Sequence, residues 1–251
     1  MFDLEKFVSI APEWAGRLTY YKSIESTNDE AKKRIREGVE SGCVILADHQ
    51  TAGRGRRGSE WLSEPGHGLL FSIILKPEYS QQYWGRMSLV TGLAIATCLS
   101  EEWGLSAEIK WPNDILVLGK KCCGILVETQ GDHVIIGVGL NVSYSPADDR
   151  FISVWEGIGK PVSREEILAD VLTAIDNELK QCDEGGFSEQ LVRLRSKCAF
   201  LGKEIQFTAD SQSRTGFLVG IGDSGELLVR NEGVITPHIH AESIRPLDMS
   251  Y

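Results

Sequence analysis

Apolar positions change period along this chain, and the changes mark out its elements. LTYYKS (18–23) reads as a strand. The following ESTNDEAKKRIREGVESG carries Ala31, Ile35 and Val39 at i, i+4 spacing, with Thr27 and Glu30 placed as a capping box. This predicts a helix over about 28–39 that stops near Gly42. CVILADH (43–49) and GLLFSIILK (68–76) are apolar runs of strand length. Residues 82–103 hold Trp84, Met87, Val90, Leu93, Ala94, Cys98 and Leu99, which predicts a long core helix. AEIKW (107–111), DILVLGKKCCGILVET (114–129) with a hairpin near Gly119, and HVIIGVGLNVSY (133–144) predict further strands. Ser163 and Glu166 form a second capping box, ahead of Ile167, Val171, Ile175 and Leu179 on one helical face; a shorter helix follows at 188–198. The class these elements predict is α+β, a mixed sheet with helices on one face.

After Leu201 the texture changes. EIQFTAD, RTGFLVGIG, ELLVRN and VITPHI are short strands split by turn residues such as Asp223-Ser224-Gly225. They predict a small all-β barrel, with a boundary near 200 that divides the chain into 1–200 and 201–251. The link is short, so the barrel is expected to pack on the larger body.

Composition narrows the function. The 251 residues are 42% hydrophobic and 25% charged, ordinary globular values. Net charge is −10, whereas a bulk polyanion binder should be basic. No run of about 18 apolar residues occurs, so no membrane helix is expected. The opening MFDLEKFVSIAPEW has early acids and no long apolar stretch, unlike a secretory signal. Six cysteines (43, 98, 122, 123, 182, 198) show no C-x-x-C and read as buried small apolar groups in a reducing cytoplasm. His238-x-His240 reads as an incidental pair on a barrel strand rather than a metal site.

Against this acidic background stands DHQTAGRGRRGSEWL (48–62), with Arg54, Arg56 and Arg57 in a literal G-x-G-x-x-G. A dinucleotide fingerprint needs a helix directly after the glycines. SEWLSEPGHG, with Pro65, Gly66 and Gly68, opposes one. A Walker A motif is absent. An RNA-binding tract would be short and isolated here, and a solvated loop is the plain alternative. The remaining reading is a mobile anion clamp. Glycine lets backbone approach a ligand, arginine presents a fork of donors to phosphate, and Trp61 can cover a ring. Such a loop could exclude water from a labile intermediate.

STN (26–28), QTAGRGRRGSEW (50–61), KWPND (110–114), KKCCGILVE (120–128) and IGVGLN (136–141) stand in an order and spacing that resembles biotin protein ligases over residues 20–145. The resemblance implies a class II synthetase-like ligase domain followed by an SH3-like barrel. It implies ATP-dependent activation of biotin as biotinyl-5′-AMP and transfer to one lysine of a biotin carboxyl carrier protein domain. A homodimer is also implied. The 25 residues before STN contain a strand and cannot form a winged helix, so no sequence-specific DNA binding is expected. Rival readings are a lipoate or octanoate ligase of the same fold and a non-enzymatic nucleotide or RNA binder.

The residues suit that chemistry. By resemblance Ser26, Thr27, Asn28, Gln50 and Gly53 hold the ureido and ring end of biotin, although Ser26 and Thr27 also suit helix capping. Gly137 and Gly139, two apart on a strand, face one side and leave a groove, unless they mark a bulge. With Gly124 they become the floor under biotin. Lys121 stands mid-strand beside Gly124 and is the leading catalytic cation, with Arg56; its plain alternative is a solvated hairpin lysine. Arg54 and Arg56 fall at positions contacting biotin and the phosphates, and Arg57 at a basic position of the nucleotide side. Asn113 and Asn141 are nucleotide-side polar groups, and Trp61 is the expected adenine platform, against plain packing. Asp114 is the candidate Mg²⁺ carboxylate, since magnesium keeps several waters and few protein ligands.

Overall fold

The computed structural model describes residues 1–183 and 187–247. A short N-terminal helix, α1 (Leu4–Ile10), precedes β1 (Leu18–Tyr21), α2 (Thr27–Arg36) and β2 (Val44–Ala47). β1 and β2 pair in parallel, so α2 is their crossover. β3 (Gly68–Leu75) follows the arginine loop, then α3 (Met87–Glu101), β4 (Ala107–Lys110), β5 (Asp114–Val117), β6 (Lys120–Gln130) and β7 (His133–Asn141). These strands form one seven-stranded sheet in the order β1-β2-β3-β7-β6-β5-β4, antiparallel except for the first pair. The β5–β6 hairpin turns on Leu118 (φ 52°) and Gly119 (φ 76°), the left-handed pair that a two-residue loop demands.

Alternation between two buried faces explains why β2 is apolar throughout and β3 apolar apart from Ser72. Val44 and Leu46 enter the main core, while Ile45 and Ile74 join Ala31 and Ile135 in a smaller cluster under α2. The long helices α3 and α5 (Arg164–Asp183) cover one face, as expected, and the shorter α2 lies on the other. α3 is buried around most of its circumference, between the sheet and α5. Its predecessor residues Gln81–Arg86 form a 3₁₀ segment instead of extending it. α4 (Val154–Ile158) and α6 (Phe187–Ser196) complete the helices.

The two foreseen capping boxes come out differently. At α5, Ser163 Oγ accepts from Glu166 N (3.3 Å), but the Glu166 carboxylate turns to Lys6 Nζ (2.8 Å). At α2 the cap residue is Ser26, not Thr27, and Glu30 accepts from Tyr21 Oη and Arg34 Nε instead. A complete reciprocal box occurs at Ser153–Glu156, ahead of α4.

Five strands form a second, antiparallel sheet: β8 (Glu204–Ala209), β9 (Gln212–Ile221), β10 (Leu227–Asn231), β11 (Val234–His238) and β12 (Glu242–Pro246), ordered β11-β10-β9-β8-β12. It packs on the larger body. Trp111 Nε1 donates to Gly225 O (2.8 Å) and Arg195 Nε to Ile221 O (2.7 Å).

Candidate active site

A cavity of about 260 Å³ lies over β6 and β7, closed on one side by the arginine loop and on another by Ala241–Ile244 of the second sheet. Its floor is free of side chains for a steric reason. Gly124 faces Gly139 across the two strands, and the Trp61 indole lies directly on both. A Cβ on Gly139 would stand 2.3 Å from the indole, and one on Gly137 would stand 2.3 Å from Asn28 Oδ1. Trp61 therefore rests on the very glycines expected to lie beneath biotin, and among the described residues its buried indole N–H has no hydrogen-bond partner.

The first turn of α2 supplies a polar corner. Gln50 Oε1 accepts from Thr27 N (2.8 Å) and Thr27 Oγ1 (3.0 Å). Ser72 Oγ, fully buried on β3, lies 2.6 Å from Asn28 Oδ1 and 2.7 Å from Thr27 Oγ1. Asn28 Nδ2 donates to Glu128 Oε2 (2.8 Å), which fixes its amide orientation. These bonds leave Ser26, Thr27 and Asn28 buried yet lining the cavity.

The loop folds back as a ladder. Gly55 N donates to Ser59 O (2.7 Å) and Trp61 N to Gly53 O (3.0 Å). Gly53 is thus a rung rather than a lining residue; a Cβ there would stand 2.7 Å from Trp61 O. The three arginines are sorted by partner. Arg54 forks onto Asp29 and reaches Glu128 Oε2 at 3.4 Å. Arg57, with φ 55°, pairs with Glu242 on β12. Among the described residues Arg56 alone of the three has no carboxylate partner; its Nη1 donates to the amide oxygen of Asn113 (3.2 Å). Burial, aided by the like charge of Arg57, pulls the Arg56 pKa below its ordinary range, against the opposing charge of Asp114.

Two lysines complete the charged wall. Lys121 Nζ lies 2.7 Å from Asp114 Oδ1 and 5.4 Å from the Trp61 ring centroid. The first contact is an ion pair to a buried carboxylate oxygen, without hydrogen-bond alignment. Lys110 sits opposite Asp114 in the β4–β5 register and lines the same cavity. Burial lowers its pKa, and Lys121 adds to that effect. Arg56, Lys110 and Lys121 thus converge on the single carboxylate of Asp114, a local excess of positive charge inside an acidic protein. Lys110 is the first letter of KWPND, but pattern alone assigns it no role, because its approach to Asp114 comes from the strand register.

Asn113 is held in place by its Nδ2, which donates to Ile125 O (3.0 Å), after a cis Trp111-Pro112 bond. Asn141 is not brought to the cavity: it is buried, and its Nδ2 donates to Ile152 O (3.3 Å). Among the described residues no three His, Cys, Asp or Glu cluster to cage a metal. Magnesium would need only one or two carboxylates plus substrate phosphates. Asp114 supplies one such carboxylate, its Oδ1 shared with the Lys121 ammonium, which suits that limited role beside substrate phosphates.

This geometry agrees with known proteins. Residues 20–141 match the biotin/lipoate A/B protein ligase family. The chain is 37% identical to the biotin--[acetyl-CoA-carboxylase] ligase of Mycobacterium tuberculosis, covering 80% of this chain and 79% of that protein. It is 31% identical to the bifunctional ligase/repressor BirA of Bacillus subtilis, covering 86% and 70% respectively. The chain belongs to the biotin protein ligase family. Its fold superposes on the biotin protein ligase of Aquifex aeolicus, solved in complex with biotin and ATP, with a TM-score of 0.84 and 34% identity over 92% of this chain and 99% of that one. The ligase fold accounts for the mixed sheet with an appended antiparallel sheet, and the family match spans every predicted site residue from Ser26 to Asn141.

Proposed function

We propose that this chain joins biotin to ATP as biotinyl-5′-AMP and transfers the biotinyl group to a lysine of a biotin carboxyl carrier protein domain. One observation carries the reading: three cations, two of them depressed by burial, surround one carboxylate above a glycine floor. A desolvated cation without a full partner lowers its free energy by meeting an anion. In the first step a carboxylate oxygen of biotin attacks the α-phosphorus of ATP and pyrophosphate leaves. Both reactants are anionic. On this reading Lys121 bridges carboxylate and α-phosphate, with Arg56 and Lys110 on the phosphate side; such fixed charges act where negative charge develops. Magnesium, held at Asp114 and the phosphates, would add positive charge to the leaving group. In the second step the carrier's amine attacks the acyl carbon and AMP departs, so no enzyme nucleophile is required.

The Thr27–Gln50–Asn28 corner favours a ligand with a polar head over a straight acyl chain. That favours biotin over lipoate or octanoate. We place the catalytic body at 1–200 and the appended module at 201–251. We expect a homodimer acting on a biotin-dependent carboxylase in the cytoplasm. The test is ATP–pyrophosphate exchange. Exchange that depends on biotin supports the reading; dependence on lipoate instead, or no exchange with either, overturns it.

A further inference from the structure

The arginine loop begins and ends on a buried polar node outside the cavity. Gly66 N donates to Asp48 O (2.9 Å), which closes the base of the ladder. Arg164 Nη1 donates to Asp48 Oδ1 (2.7 Å) and to Gly68 O (3.3 Å), so a single guanidinium touches both stems. Asp48 Oδ2 accepts from Tyr20 Oη (2.6 Å) and Phe2 N (3.2 Å). The Arg164 and Asp48 side chains are only 10% and 6% exposed.

Helix physics does not explain an arginine here. Arg164 is the first residue of α5, where a cation opposes the helix dipole that Glu165 and Glu166 satisfy. Stability does not explain it either, because apolar residues of similar size often replace a buried ion pair without loss. What the pair adds is direction. The rungs Gly53–Trp61 and Gly55–Ser59 stand on the Asp48–Gly66 base, so the base sets where Arg56 and Trp61 point.

We propose that Arg164 is a positioning residue for adenylation, acting through Asp48 and Gly68 to fix the stems of the arginine loop. This rests on the cavity being the adenylation site. A displacement of about 1 Å at a reacting group can slow a reaction about a hundredfold.

The test compares Arg164→Gln and Arg164→Lys with Arg193→Gln. The last breaks the Glu178 ion pair between α5 and α6, far from the loop. Amide hydrogen exchange over residues 50–66, without substrates, reads loop order; biotin-dependent pyrophosphate exchange reads catalysis. Arg164→Gln should speed loop exchange about tenfold and lower kcat/KM by about ten- to a hundredfold. Arg164→Lys should recover part of both, and Arg193→Gln should change neither. Loop protection unchanged in Arg164→Gln, or equal effects from Arg193→Gln, overturns the proposal. Should Arg164→Gln not fold, Tyr20→Phe removes one hydrogen bond to the same carboxylate and should loosen the loop in the same direction; unchanged protection there counts against the proposal. Inactive wild-type protein would sink the adenylation reading alone, since loop exchange is read without substrates.

Discussion

Arg54, Arg56 and Arg57 lie within four positions, yet each answers to a different part of the molecule. Arg54 and Arg57 are neutralised by Asp29 and Glu242, and Arg56, held only by Asn113, is the one that the proposed reaction uses. Replacing Arg56 with alanine should therefore lower adenylation about a hundredfold, on the scale of about 2.7 kcal/mol for a lost transition-state contact. Arg57→Ala should cost much less, because its ion pair is half exposed and such pairs are worth about 0–1 kcal/mol. Lys121→Ala should slow pyrophosphate exchange by about 10²–10³-fold while biotin still binds in calorimetry. Unequal losses in the order Lys121, Arg56, Arg57 would confirm the sorting; three similar losses would refute it. Pattern reading located the arginines, because GRGRRG is contiguous. It could not sort them, since their partners lie 25 or more positions away and only the fold brings them near. For the same reason the Ala241–Ile244 wall of the cavity was not foreseen.

Elements were legible where a period runs long enough. β2, β3, β6 and β7 are legible as apolar runs, and α3 from its core-facing residues, although the stretch before Met87 that the same pattern covers is 3₁₀. α1 and α4 escaped because seven and five residues hold too few turns for a helical period to show. At α2 Ser26 occupies the N-cap position without a side-chain capping bond, and Thr27, one residue inside, bonds Gln50 instead. The complete box at α4 makes Ser153 a stability determinant. Ser153→Ala should destabilise by about 1 kcal/mol, a fall of about 2–4 °C in Tm for a chain of this size. Thermal melts of that variant beside Thr27→Ala separate the two roles, because Thr27→Ala should act mainly on biotin affinity.

For the molecule as a whole, buried ionisable groups set the pH range of stability. Burial raises the Asp48 and Glu128 carboxyls, but hydrogen bonds from Tyr20 and Arg164, and from Lys32 and Asn28, hold both below their ordinary values. The Arg54 fork does the same to Asp29. A lowered folded pKa gives stabilisation that is complete above the unfolded value of about 4 and is lost as pH falls through the folded value. Tyr20 runs the other way. Burial and its bond to Asp48 push the phenol up to about 12, so its contribution is complete below the unfolded value of about 10 and disappears as pH rises through about 12. Tm should be level between these limits and fall on both sides, and Tyr20→Phe should flatten the alkaline fall and, because it removes one of the hydrogen bonds that hold the Asp48 carboxyl down, soften part of the acid fall as well. None of this was visible in the sequence, where Tyr20, Asp48 and Arg164 belong to three separate segments.

On the proposed reading, seating biotin on Gly124 and Gly139 requires the Trp61 indole to leave them. Entry of the vitamin is then a trade of one apolar ring for another over ground that is already dry. Burial of new apolar area is what makes a binding heat capacity negative. Calorimetry across a temperature series should thus find a shallower slope for the native protein than for Trp61→Ala, whose floor stands wet before the ligand arrives.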